Sequence, residues 1–296
     1  MPTLDAADPR APQRLRRALA QRVADAHLAL APGALCAMVF GSTAEDGLAD
    51  SRSDVDMSLV FEQLPDEPAL AQACCDAGSG EWAWRSGTLH EEGLAVSFRL
   101  DDVEVQVVYT DPRILQAQLD ELLVQHKPDT LNHKIAEGLL KAQPLIGPEA
   151  LERWRAQVAA FPPALGDAMM RHHLTEPTPW RWFGLLLQRD AALWSRELLV
   201  QACYRLLGVL AGLNRRYYTT FQFKRMRRFA ERLTLAPPDL IARIEALLVT
   251  PLPEAFNALF TLDGEVLALL ATHAPQIDLS AAHERRTRFA LDAATR

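Results

Sequence analysis

The sequence predicts an α/β (α+β) domain in its first third, followed by an all-helical domain. Residues 54–60 and 103–109 alternate apolar and polar side chains, which is typical of strands buried on one face. Residues 12–30 instead repeat apolar side chains at helical spacing, and helical patterns punctuated by prolines dominate from residue 113 onward, including residues 180–213, 220–235, 251–260 and 264–273. We therefore place the first domain at residues 12–111 and the helical domain at residues 112–296.

The composition excludes several classes of protein. The chain has 296 residues, 49% hydrophobic and 23% charged, as in a soluble globular protein. Its formal net charge of -7 argues against a general nucleic-acid coat or a membrane-surface protein. Four cysteines lack paired spacing, which indicates reduced thiols, and arginines interrupt any apolar run near the N-terminus. We expect a cytoplasmic protein with no membrane partner.

The second of two closely spaced strands carries a pair of carboxylates. Because side chains alternate along a strand, Asp54 and Asp56 share one face while Val55 and Met57 lie on the other. Two carboxylates about 7 Å apart along one face repel each other unless a positive charge lies between them. Carboxylate oxygens suit a divalent cation, so the pair predicts a metal site.

The first of these strands, residues 35–40, ends at Gly41 and Ser42. If a helix begins at Ser42, its unpaired amides and positive dipole can hold an anionic phosphate, and Gly41 lets the phosphate approach the backbone. One alternative is a polar strand face beside an ordinary turn. A calcium-binding loop is disfavoured, because the EF-hand pattern requires a glycine soon after its acids.

A hairpin is predicted further along, where residues 94–100 and 103–109 flank Asp101 and Asp102. In its second strand, Glu104 lies on the face opposite the valines at 103, 105 and 107. Glu104 can therefore join Asp54 and Asp56 if the two strands are neighbours. The alternative is a solvent-exposed strand glutamate.

The order Gly-Ser, eleven residues, Asp-Val-Asp resembles the signature of the DNA polymerase beta-like nucleotidyltransferase superfamily. That resemblance implies a mixed sheet, with Gly41 and Ser42 holding the triphosphate of a nucleotide and Asp54 and Asp56 holding Mg²⁺. Glu104 matches the superfamily's third acidic residue, which serves as metal ligand or base.

The helical half resembles a DUF4037-type, aminoglycoside-nucleotidyltransferase-like C-terminal domain. The matching residues are Arg189, Asp190, Asn214, Tyr217 and Lys224, of which Arg189, Asn214 and Lys224 are expected to bind the nucleotide. Lys224 opens a basic cluster that can neutralise phosphates, but the same spacing also fits a solvated helix face.

Together these patterns predict an Mg²⁺-dependent transfer of a nucleoside monophosphate, AMP from ATP, to an acceptor hydroxyl or phosphate with release of pyrophosphate. A small-molecule acceptor is favoured. A protein or RNA acceptor, as for an antitoxin that modifies its toxin, stays open, as does a non-catalytic nucleotide-binding module. If Glu104 is not the base, Asp190 and Glu197 are the next residues to consider.

Overall fold

A computed structural model describes residues 10–30, 34–175 and 185–294. The chain forms two compact units. The sheet unit comprises Met1–Glu121 with Ile135–Ala160, and the helical unit comprises Leu122–Lys134 with Phe161–Arg296. The boundary expected at residue 112 does not coincide with this division, because residues 135–160 return to the sheet unit. The expected fold class, a mixed-sheet α/β domain followed by a helical region, is confirmed.

The described residues of the sheet unit form one sheet of six strands: β1 (Ala34–Val39), β2 (Val55–Phe61), β3 (Trp84–Ser86), β4 (Leu94–Leu100), β5 (Val103–Thr110) and β6 (Gln143–Ile146). Their order across the sheet is β3-β4-β5-β2-β1-β6. Strands β2 and β5 are parallel and all other neighbours are antiparallel, so the sheet is mixed. The short strands β3 and β6 were not predicted.

One face of this sheet forms the core of the unit. Alternate residues of the central strands, such as Val55, Met57 and Val107, are fully buried there together with Leu19 of the first helix and Leu70 of the third. The alternation predicted for β2 and β5 is therefore confirmed on its apolar side. The helices are α1 (Ala11–Leu30), α2 (Gly41–Ala44), α3 (Glu67–Asp76), α4 (Pro112–Leu123), α5 (Asn132–Lys141) and α6 (Pro148–Ala159).

The predicted hairpin is confirmed as the antiparallel pair β4 and β5. Its two connecting residues, Asp101 and Asp102, both have positive φ angles, 47° and 64°. A two-residue turn that follows the twist of the strands needs two left-handed residues, and aspartate tolerates that conformation better than most non-glycine residues. Aspartates thus take the place of the usual Asn-Gly.

The helical unit differs from its predicted elements in several places. Of the helix expected over residues 180–213, Ala192–Leu213 is one continuous helix, residues 187–191 are not helical, and residues 180–184 lie outside the described residues. The helix expected over residues 220–235 is a 3₁₀ helix followed by a short α-helix. Residues 251–260 and 264–273, expected as two helices, belong to one continuous helix that passes through Gly264. The elements are α7 (Pro163–Thr175), α8 (Ala192–Leu213), the 3₁₀ helix Thr220–Arg225, α9 (Met226–Ala230), α10 (Leu240–Val249), α11 (Leu252–His273) and α12 (Ser280–Ala294).

Helix α11 explains why the glycine is tolerated. Its residues Phe256, Leu259, Val266 and Leu270 are buried within the helical unit, and this packing outweighs the low helix propensity of Gly264. Among the described residues, α11 is the one helix whose length and composition would allow it to cross a membrane. A helix that is buried in a protein core can meet the same two criteria.

Candidate functional site

The predicted acidic residues of the first domain lie on the sheet face opposite the core, here called the polar face. Because β2 and β5 are parallel neighbours with Val55 beside Val105 and Asp56 beside Gln106, continuing the register places Asp54 beside Glu104. Residues paired across a sheet point to the same side. The structure therefore meets the condition set for Glu104, which lies on the strand next to both aspartates and on their face.

The three acids differ in exposure. Asp54 and Asp56 are half-buried, whereas Glu104 is exposed and accepts a hydrogen bond of 3.2 Å from Nε2 of Gln106. Adjacent strands lie about 4.8 Å apart, so the carboxylates share a region small enough for one metal-bound phosphate group. Glu104 is therefore accessible to solvent.

Gly41 brings the turn after β1 against the second aspartate. Its φ angle is +56°, and a Cβ atom built on it would lie 3.0 Å from Oδ2 of Asp56. A side chain here would strain the backbone and press against the carboxylate. The backbone N–H of Phe40 also donates to the carbonyl of Asp56 at 2.9 Å. The two halves of the predicted site are therefore in direct contact.

The helix expected to begin at Ser42 begins instead at Gly41 and is only four residues long. The macrodipole of so short a helix is small, so the dipole part of the prediction is weakened. The first donors to helix carbonyls are Ala44 and Glu45, so helix bonding does not use the amides of Gly41, Ser42 and Thr43. Phosphate binding here would depend on those amides and on the hydroxyl of Ser42.

The loop before Asp54 is held by a buried arginine of α1. Arg16 is 4% exposed and donates from Nε to the carbonyl of Ser53 at 2.8 Å and from Nη2 to that of Ser51 at 3.2 Å. Burial lowers the pKa of Arg16, while the charges of Asp50 and Asp54 act in the opposite direction. An arginine remains charged under such a shift. Arg16 thus fixes the backbone that carries the first aspartate.

Nothing in the sequence marked Arg16, because it is one of several arginines on α1 and only its burial sets it apart. A second bond joins the same loop to α2, since the hydroxyl of Thr43 donates to the carbonyl of Asp54 at 3.5 Å. Gln13 of α1 also donates to the carbonyl of Thr43 at 3.4 Å. The turn and the first aspartate are therefore positioned by the same helix.

A lysine that the sequence did not indicate lies beside the Gly41 turn. Lys141 is the last residue of α5 and lies two residues before Gln143 of β6, which pairs with Val39 of β1. Its Nζ atom lies 3.3 Å from Oε1 of Glu45, the residue that follows α2, and 3.1 Å from Oε1 of Glu137. Lys141 is therefore ion-paired to the segment that begins at Gly41. The strand β6, which was not predicted, brings Lys141 to this end of β1.

The residues present fit a magnesium ion delivered with a nucleotide. Among the described parts of the chain, no group of three or more His, Cys, Asp and Glu side chains is arranged to hold a metal by itself. Mg²⁺, however, is commonly bound by one or two carboxylates together with substrate phosphates and water. Asp54 and Asp56 supply hard oxygen ligands of that kind, next to a turn suited to phosphate.

The residues predicted in the second domain lie in the helical unit and are not equivalent to one another. Asn214 donates to the carbonyls of Leu210 and Leu235 and accepts from the hydroxyl of Thr234 and the N–H of Leu235. Four hydrogen bonds use the whole capacity of a carboxamide. The structure therefore gives Asn214 a structural role, which does not support the predicted contact with a nucleotide.

Of the other residues predicted in that unit, three are exposed and one is buried. Arg189 and Asp190 are exposed in the turn before α8, and Lys224 is exposed in the 3₁₀ helix. Tyr217 is buried, with its ring 5.0 Å from that of Phe161 between centroids, so it belongs to the core. The roles of Arg189 and Lys224 as nucleotide ligands remain predictions.

Comparisons with known proteins add little. No family model matches the chain, and no curated protein matches it. Among solved structures, it is similar to a nucleotidyltransferase-like protein from Exiguobacterium sibiricum, with 13% identity and a TM-score of 0.41 over 88% of this chain and 77% of that one. At that identity and TM-score the likeness carries no argument about activity. The chemistry of the site therefore has to be argued from its own residues: the turn at Gly41, the carboxylates of Asp54 and Asp56, and the exposed carboxylate of Glu104.

Proposed function

We propose that the protein transfers a nucleoside monophosphate, AMP from ATP, to an acceptor hydroxyl or phosphate and releases pyrophosphate. One observation carries this proposal: Gly41 lies against the carboxylate of Asp56, and Glu104 stands on the adjacent parallel strand on the same face. A site for phosphate, a site for a cation and a proton acceptor are thereby adjacent. That set of groups is what nucleotidyl transfer requires.

Each residue has a distinct part in the reaction. Gly41 and Ser42 hold the β- and γ-phosphates through backbone amides and a hydroxyl, while Asp54 and Asp56 would hold the metal through their carboxylate oxygens. Mg²⁺, when bound, neutralises charge on the phosphate oxygens. Arg16 keeps Asp54 in place through the carbonyls of Ser51 and Ser53.

The transfer itself exchanges one bond for another. The acceptor oxygen forms a bond to the α-phosphorus while the bond from that phosphorus to the bridging oxygen of the β-phosphate breaks, and the electron pair leaves with pyrophosphate. The proton of an acceptor hydroxyl passes to an Oε atom of Glu104, which is exposed and accessible. Catalysis depends mainly on positioning and on charge stabilisation.

The rival functions differ in what they need from the same residues. A non-catalytic nucleotide-binding module would need the turn and the aspartates but no carboxylate at Glu104. A protein or RNA acceptor, as in an antitoxin, would need the same catalytic groups beside a larger surface. A small acceptor is favoured because three acids on the polar face repel a polyanion.

Calorimetry with a nonhydrolysable ATP analogue tests the core of the proposal. We expect binding in the presence of Mg²⁺, and we expect the double variant Asp54→Ala, Asp56→Ala to bind no better than the native protein in chelator. With ATP labelled at the γ-phosphate, and with water in place of the acceptor, the native protein should release labelled pyrophosphate and the double variant should not. Equal affinity for the double variant and the native protein with Mg²⁺ would overturn the proposal.

The two lysines are tested against each other in the same assay. Lys141→Met removes the cation beside the turn, and we expect about tenfold weaker binding of the triphosphate, the scale of one charge-assisted hydrogen bond, with no change for AMP. Lys224→Met tests the sequence-based expectation. A loss of triphosphate affinity in Lys224→Met alone would transfer the role to the helical unit.

A further inference from the structure

Charge is divided unevenly between the two units. The sheet unit has 24 acidic and 12 basic residues, whereas the helical unit has 14 acidic and 19 basic residues. Their formal charges are therefore -12 and +5, which together give the -7 of the chain. Charge asymmetry of this kind between two parts of a chain is typical of proteins that bind a polyanion.

The positive charge of the helical unit comes from one stretch, residues 215–232, here called the basic segment. It holds seven basic residues and one acidic residue, Glu231. The rest of the unit has 12 basic and 13 acidic residues, so its charges nearly cancel. The basic segment is therefore the part of the chain to which an anionic partner is attracted.

The fold brings the two ends of the basic segment together. Arg216 donates from Nε to the carbonyl of Arg232 at 3.4 Å, and the neighbouring Asn214 accepts from the N–H of Leu235 at 2.8 Å. Five cations of the segment are exposed: Arg215, Lys224, Arg225, Arg227 and Arg228. Because like charges repel, gathering them is unfavourable unless an anion lies among them.

Arg215 occupies a position that usually belongs to glycine. It follows the C-cap of α8 with a φ angle of 52°, and the N–H groups of Arg215 and Arg216 donate to the carbonyls of Gly212 and Ala211 at 3.1 and 2.9 Å. Glycine is preferred at this point of such a helix end, because a side chain strains a left-handed backbone. The negative end of the helix dipole favours a cation there but accounts for only one of the seven.

The surroundings of the basic segment favour a phosphate backbone over a bilayer or a folded protein. Among the described side chains of residues 214–239, none of the large apolar ones is exposed, and Phe229 and Leu233 are buried. Membrane-surface helices insert apolar side chains, and the centre of a protein interface is apolar. Phosphates need neither, because arginine and lysine bind them by charge and hydrogen bonds.

We propose that the basic segment binds a single-stranded nucleic acid through its phosphates, without reading its sequence. The exposed guanidinium groups donate to phosphate oxygens, which position a strand but do not discriminate between bases. The strand is a ligand of the helical unit and is distinct from the acceptor, because the three acids of the polar face repel a polyanion. This inference goes beyond the proposed function and does not depend on it.

Fluorescence anisotropy with a labelled oligouridylate of about 15 nucleotides tests the inference across a series of salt concentrations. Four exposed cations remain besides Arg227, which pairs with Glu245. Four phosphate contacts give a slope of about -3 for the logarithm of affinity against that of salt. The triple variant Arg215→Gln, Arg225→Gln, Arg228→Gln should reduce the slope to about -1 and lower the affinity at least about tenfold.

A matched variant removes the same charge from the sheet unit. Arg17→Gln with Arg52→Gln and Arg153→Gln replaces three exposed arginines, and the affinity for the strand should stay within about twofold of native.

A third variant, Arg215→Gly, separates binding from folding. Glycine adopts the left-handed conformation without strain, so the urea midpoint should not fall, while strand affinity should fall about threefold.

Two results would overturn the inference. One is an equal loss of affinity in the two triple variants, or an affinity for the strand that does not depend on salt. The other is co-sedimentation with vesicles of equal parts phosphatidylcholine and phosphatidylserine without binding of the strand, which would assign the basic segment to a membrane surface. The anisotropy measurements contain no ATP, so absence of binding to the ATP analogue would overturn the proposed function alone.

Discussion

The sheet unit and the helical unit use their polar side chains in different ways. In the sheet unit, Glu104 and Gln106 lie on an accessible sheet face and bond mainly to each other. In the helical unit, Asn214 uses all four of its hydrogen bonds internally, and the buried ring of His133 accepts from the backbone N–H of Tyr218 at 3.3 Å. Residue type alone does not distinguish a ligand-binding group from a structural one.

The ion pairs of the two units differ in where they lie. Arg243 makes two bonds to Glu265, of 2.6 and 2.7 Å, that tie α10 to α11. Lys141 of the sheet unit pairs with Glu137 and with Glu45, the residue that follows α2 at the candidate site. We therefore expect substitutions on the polar face to change activity with little effect on folding, and substitutions of polar residues inside the helical unit to change stability with little effect on nucleotide binding.

The largest expected effect is on turnover. Glu104→Gln keeps the shape of the side chain and its contact with Gln106 but removes the proton acceptor. We expect pyrophosphate release to fall about 100-fold, the usual scale for loss of a general base, with nucleotide affinity within a few-fold of native. Urea denaturation should give an unchanged midpoint. A nearly native rate would move the base elsewhere, with Asp190 and Glu197 the first residues to test.

In the helical unit, Asn214→Ala should lower stability and leave nucleotide binding unchanged, which is the reverse of the result expected for Glu104→Gln. The substitution removes the side-chain partner of the N–H and the carbonyl of Leu235, whereas the carbonyl of Leu210 keeps its hydrogen bond from the backbone N–H of residue 214. We expect the free energy of unfolding to fall by about 2 kcal/mol, while the affinity for the ATP analogue stays native. Weakened nucleotide binding at unchanged stability would restore the role that the sequence resemblance suggested for Asn214.

The smallest expected effect is on the pH dependence of stability. Burial lowers the pKa of His133 to about 4, with the charge of Asp129 acting in the opposite direction. Between pH 6.5 and 4 the unfolded chain binds a proton that the folded chain does not, so stability falls as the pH falls through this window. From pH 7 to pH 5.5 the loss should be about 1 kcal/mol.

Urea denaturation at both pH values measures this loss, with His133→Asn as the control. The Asn carboxamide can accept from the N–H of Tyr218 as the imidazole does, yet it does not titrate. The difference in unfolding free energy between the two pH values should therefore shrink in the variant. An identical difference in both proteins would show that His133 is protonated in the folded state as readily as in the unfolded one.

Much of the fold was predictable from local patterns, and the exceptions have identifiable causes. The helix at Ala11–Leu30 and the hairpin of β4 and β5 were expected because their periodicity is strong over many residues. The strands Trp84–Ser86 and Gln143–Ile146 were missed because three or four residues are too few to show alternation. Both short strands lie at edges of the sheet, β3 next to β4 and β6 next to β1.

The sequence by itself determined which faces the site residues occupy. Alternation along a strand is a local property, so Asp54 and Asp56 had to share a face. Only the tertiary structure decided which strands are neighbours, which put Glu104 beside Asp54, and only it showed that Gly41 adopts a left-handed conformation against Asp56. Strand order and register depend on contacts between distant segments, and burial of Arg16 and saturation of Asn214 depend on packing, so no local pattern encodes them.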